Sequence, residues 1–154
     1  MSVSKDFEEL FTCLNAHGVK AVIVGAYAVA FHGKPRFTKD IDILVEPTRV
    51  NADRLLAALA DFGFGSLGLT QDDFAAPGRI VQLGYPPNRV DLITAIDGVD
   101  FDSAWHGRVA GRYGTADVFY LGRDELIHNK SASGRPQDLL DLSALQDGSS
   151  GQPR

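Results

Sequence analysis

Six residues constrain this chain more than any other stretch: Asp40-Ile41-Asp42-Ile43-Leu44-Val45, closed by Glu46-Pro47. β-Branched and aliphatic residues in a short run ended by proline read as a strand. On a strand, residues i and i+2 share a face. Asp40 and Asp42 then project together from one face, while Ile41 and Ile43 enter the core from the other. Two neighbouring carboxylates repel and are costly to desolvate, so a cation must stand beside them. Ligation by oxygen alone favours a hard ion, Mg²⁺ or Mn²⁺. An Asp-x-Asp pair also occurs at solvated strand starts and helix caps, so the surrounding residues must decide.

The segments around the pair suggest a mixed sheet. Phe7, Leu10, Phe11 and Leu14 are spaced as one helix face, with Ser4 as N-cap and Gly18 as stop. "KAVIVG" reads as a buried strand, and "AYAVAFHG" as a short helix ending at Gly33. After the Asp-x-Asp strand, "TRVNADRLLAALADFGFG" reads as a helix with Val50, Leu55, Leu56 and Leu59 on one side. "RIVQLGYP" and "NRVDLITAI" form an antiparallel hairpin, and "ADVFYLG" a further strand. "DGVDFDSAWHGRVAGRYG" carries no clear period. Two helices follow, "RDELIHNKSASG" and "RPQDLLDLSALQ", the second with Pro136 in its first turn. The order α-β-α-β-α, then strands, then helices, predicts an α+β domain. Its mixed sheet has about five strands and flanking helices, with a helical pair at the C-terminal end. Residues 1–146 are expected to form one domain and 147–154 a disordered tail.

Composition narrows the function. With 154 residues, 44% apolar and 23% charged, the chain suits one domain with a real core. The net charge of -5 gives no broad nucleic-acid-binding face. Cys13 is the single cysteine, so no intrachain disulfide forms. "MSVSKDFEELF" lacks the apolar core of a signal peptide, no apolar run is long enough to span a membrane, and the expected compartment is the cytoplasm.

Three features join the Asp-x-Asp pair. Gly25 stands between strand and helix, where a phosphate can approach the backbone and the N–H groups of the following helix face the anion. Asp91 is a lone carboxylate in an apolar strand. It is either the salt-bridge partner of Arg89 or a third metal carboxylate, and the core position of the strand favours the second. Lys34, Arg36 and Lys39 precede Asp40 and could screen a polyphosphate, with Arg36 best suited to bidentate contacts. Among the histidines, His17, His32, His106 and His128 make no metal spacing with one another or with Cys13. Ser131 and Ser133 lack a His-Asp arrangement, and Arg108 and Arg112 either line an acceptor groove or are solvated.

Together, the glycine at the turn, Asp-x-Asp on a strand and a later lone strand aspartate resemble the polymerase-beta-type nucleotidyltransferase superfamily. More narrowly, "VGAYAVAFHGKPRFTKDIDILV" with "LIHNKSASGRPQDLLDLSAL" is similar to small bacterial nucleotidyltransferase-like proteins related to the AbiEii toxins. The resemblance implies an enzyme that moves a nucleoside monophosphate from an NTP to a hydroxyl of RNA, protein or a small molecule, releasing pyrophosphate. It implies Mg²⁺ or Mn²⁺ on Asp40 and Asp42, with Asp91 completing the site and helping to deprotonate the acceptor. Gly25, Ala26, Arg36, Lys39 and Lys130 would bind the nucleotide, with Asp138 or Asp141 in support. A toxin–antitoxin setting would add a cognate antitoxin or regulatory partner. Where the family shows Gly-Gly or Gly-Ser, this chain has Gly25-Ala26, which keeps a backbone N–H and loses a hydroxyl. Two rivals stand beside this reading. A glycosyltransferase with an Asp-x-Asp site leaves Asp91 without a role. A degenerate nucleotidyltransferase fold could serve as a binding or regulatory module, and Ala26 favours it.

Lys130 carries two readings of its own. Its stem covers apolar surface or its ammonium pairs with Asp138 or Asp141; alternatively, it reaches over the site to a nucleotide phosphate.

Overall fold

A computed structural model describes residues 4–33, 40–84 and 89–149. The chain opens with α1 (Lys5–Ala16), capped by the Ser4 hydroxyl, which accepts from the Phe7 N–H at 3.4 Å. Its Phe7, Leu10, Phe11 and Leu14 face is buried. β1 (Ala21–Val24) runs directly into α2 (Gly25–His32), which Gly33 closes. β2 (Asp40–Val45) follows, then α3 (Arg49–Leu59), capped by the Thr48 hydroxyl. β3 (Ile80–Leu83) and β4 (Arg89–Ile93) make the expected antiparallel hairpin. The stretch without a clear period contains α4 (Phe101–His106) and β5 (Val109–Tyr113), which pairs antiparallel with β6 (Ala116–Tyr120). α5 (Arg123–Ser133) and α6 (Pro136–Ser149) complete the chain, and α6 runs into the stretch read as a tail.

The six strands form one mixed sheet in the order β3-β4-β2-β1-β6-β5. β1 is antiparallel to β2, while β2·β4 and β1·β6 are parallel. Alternation divides the core between the two faces. Ile23, Ile41, Ile43 and Leu92 pack with α1 and α3 residues on one face. Val22, Val24 and Leu44 pack with α2, Phe101, Leu126 and Leu145 on the other. The helical pair therefore lies on the face from which Asp40 and Asp42 project.

One helix face differs from expectation. Val50 points outward at 62% exposure, and Asn51 is buried in its place. The Asn51 side chain accepts from the Lys20 N–H at 2.8 Å and donates to the Lys20 and Glu46 carbonyls, both at 3.1 Å. A buried amide satisfied on three sides ties α3 to the ends of β1 and β2.

Candidate active site

The turn from β1 into α2 is built around Gly25, whose φ of +67° is unfavourable for any residue with a Cβ. A Cβ there would also collide with the Asp42 carboxylate, reaching 3.2 Å from its Cγ and closer still to Oδ2. Conformation and space both require glycine, because the Asp42 side chain lies against the turn.

β2 and β4 bring the three aspartates together. In their parallel register Asp42 stands opposite Asp91, and Asp40 opposite Arg89. The two carboxylates therefore come from neighbouring strands and share one sheet face. Burial, first, and then the charges of Asp91 and Asp40 push the Asp42 carboxyl up to about 6, with Lys130 acting in the opposite direction.

The Arg89 guanidinium spans the other two acids. Its Nη2 lies 2.8 Å from Asp40 Oδ2 and donates to Asp91 Oδ2 at 3.3 Å. Its Nε lies 3.2 Å from Asp91 Oδ1, yet both of these atoms are buried and the contact lacks hydrogen-bond alignment. Asp91 thus pairs with Arg89 and also stands opposite Asp42. Sequence reasoning weighed Arg89 only as the partner of Asp91. The same i, i+2 rule that joins Asp40 to Asp42 puts Arg89 on the acidic face.

The helical pair contributes a second charged cluster. The Lys130 ammonium is 7% exposed and lies 3.2 Å from Asp138 and 3.3 Å from Asp141. The Arg135 Nε donates to Asp138 at 2.8 Å. The ion-pair account of Lys130 is therefore realised, and its charge also reaches Asp42. Arg135, which the sequence reading passed over, feels Asp42 as well. Its signal was the i, i+3 spacing to Asp138 at the start of a helix. Ala26 lies in the first turn of α2. Lys34, Arg36 and Lys39 lie outside the described residues.

All-oxygen donors on one sheet face, beside a turn that a Cβ would fill, suit a hard divalent cation. Among the described residues, no group of three or more His, Cys, Asp or Glu side chains is arranged to hold a metal as the side chains stand. Arg89 stands between two of the acids.

No protein-family model matches the chain, and no curated protein matches it. Among solved structures it is similar to an antigenic nucleotidyltransferase-like protein from Paracoccidioides brasiliensis. The TM-score is 0.55 at 18% identity, over 95% of this chain and 77% of that one. The fold is nucleotidyltransferase-like. Among the described residues, no helix is long and apolar enough to cross a membrane.

Proposed function

We propose that the chain is a metal-dependent nucleotidyltransferase that transfers a nucleoside monophosphate from an NTP to a hydroxyl acceptor on RNA, protein or a small molecule. One observation carries the reading: Asp42 and Asp91 face each other in register, with Asp40 on the same sheet face, against a glycine turn that opens a helix. A salt bridge alone needs one acid, and a helix cap needs none on β4.

Asp40, Asp42 and Asp91 would hold Mg²⁺ or Mn²⁺. A metal held there would supply acidification of the acceptor hydroxyl and neutralisation of charge on pyrophosphate. Asp91 takes the acceptor proton. Gly25 lets phosphate approach the backbone, where the N–H of Ala26 and the start of α2 favour an anion. Arg36, Lys39 and Lys130 offset phosphate charge, with Asp138 and Asp141 orienting Lys130. The resemblance to AbiEii-related proteins extends the proposal to a cytoplasmic toxin–antitoxin setting with a cognate antitoxin or regulatory partner.

The test is incubation with each labelled NTP, Mg²⁺ or Mn²⁺, and cellular RNA and protein. Label should move to an acceptor with wild type and not with Asp42→Asn. A second reading, a nucleotide-binding module without transfer, draws support from Ala26 and from the Arg89 pairing. It predicts nucleotide binding with no label transferred under any condition.

A further inference from the structure

We propose that Arg89 is a resident cation of the carboxylate site: it holds Asp40 and Asp91 while no metal is bound, and yields them when a phosphate anion takes its guanidinium. The inference rests on the metal-site reading above and goes beyond it, because it makes metal and phosphate uptake interdependent.

Three observations support it. First, one guanidinium spans two of the three acids, at 2.8 Å to Asp40 and 3.2–3.3 Å to Asp91. A metal shared by Asp40 and Asp91 must compete with it for the same oxygens. Second, the fit to Asp91 is imperfect. Arg89 Nε and Asp91 Oδ1 are buried without hydrogen-bond partners although they lie within ion-pair distance. Buried, poorly aligned polar atoms gain when a better partner arrives. Third, the Arg89 side chain is 31% exposed, so it has room to turn outward. A freed guanidinium presents a planar fork suited to phosphate oxygens. The ion and the anion would then each remove the other's obstacle, which is reciprocal coupling between two ligands.

The test is a Mn²⁺ titration of the full chain followed by electron paramagnetic resonance, with and without inorganic phosphate. Wild type should bind Mn²⁺ weakly alone and more tightly with phosphate. Arg89→Gln should bind Mn²⁺ about tenfold tighter than wild type without phosphate, and be indifferent to phosphate, since a nearby positive charge is lost. Arg89→Lys keeps the charge but not the fork, so its affinity should fall between the two; it carries the test if Arg89→Gln does not fold. Mn²⁺ affinity in the variants no higher than in wild type overturns the proposal and leaves the nucleotidyltransferase reading standing. Tighter Mn²⁺ binding in the variant with no phosphate effect in wild type overturns the anion-driven release. If no protein in the set binds Mn²⁺ with or without phosphate, this proposal and the metal site under it both fall.

Discussion

Asp42 lets the site be probed through stability alone. Its carboxyl is held up at about 6, chiefly by burial and by the Asp91 charge. Between the ordinary aspartate range and pH 6 the folded state keeps a proton that the unfolded chain releases. This contribution is therefore fully present at low pH and is lost as pH rises through about 6. A carboxyl held that far above the ordinary aspartate range corresponds to roughly 2–3 kcal/mol. Urea denaturation from pH 4 to 8 in EDTA should show this loss in wild type and a flatter profile in Asp42→Asn, which should be the more stable protein at pH 8. Parallel profiles would mean that Asp42 is not strained. At the neighbouring turn, Gly25→Ala should lose at least about 1–2 kcal/mol from the left-handed backbone alone, before any displacement of Asp42. A thermal melt measures it, and unchanged stability would mean that the turn adapts.

At the scale of elements, α5 and α6 are joined through a buried ion cluster. The side chains of Lys130, Asp138 and Asp141 are 7%, 2% and 3% exposed. Removing the lysine takes the shared ammonium from two buried acids, although Asp138 keeps Arg135 and Asp141 keeps Gln137, so Lys130→Ala should cost up to about 3 kcal/mol in a denaturation experiment. A loss below 1 kcal/mol would show that solvent reaches the cluster. The elements also differ in how far they could be read beforehand. α1 was plain because its four large apolar residues recur at helical spacing and Ser4 caps it. β2 and β4 were plain because aliphatic residues alternate with acids. β5 was not, because an edge strand with an exposed Val109, two small residues and an arginine has no buried stripe to reveal it. α4 was missed for its shortness, although Asp100 caps it, accepting from the Ser103 N–H at 2.8 Å. Val50 misled because hydrophobicity alone could not show that Asn51 would be buried to bind strand ends. At the site, the aspartates were legible from period 2. The clasp of Arg89 on Asp40 was not, because it depends on the register between two strands far apart in sequence.

Across the whole molecule, the second apolar cluster depends on the last helix. Leu145 of α6 is fully buried among Val24, Val29 and Leu126, and the Arg123 guanidinium donates to the Leu145 carbonyl at 2.7 Å. Removing residues from Pro136 onward should uncover this face and leave Lys130 without either acid. The truncated chain should bind a hydrophobic dye and lose its sharp melting transition. A sharp melt without dye binding would show that the sheet stands without α6.

The parallel seam between β1 and β6 has a consequence for the order of folding. Ile23 pairs with Tyr120, and the Leu121 N–H donates to the Ile23 carbonyl at 2.9 Å. This joins the first strand of the chain to the last. Closing so large a loop is slow compared with forming a hairpin or a helix. β3–β4 and β5–β6 can form early as local hairpins, while β1 must wait for nearly the whole chain. During synthesis, Gly25 and Asp42 leave the ribosome long before Asp91 and Lys130. The nascent chain therefore carries Gly25, Asp40 and Asp42 before β4 brings Asp91 to them and α5 brings Lys130.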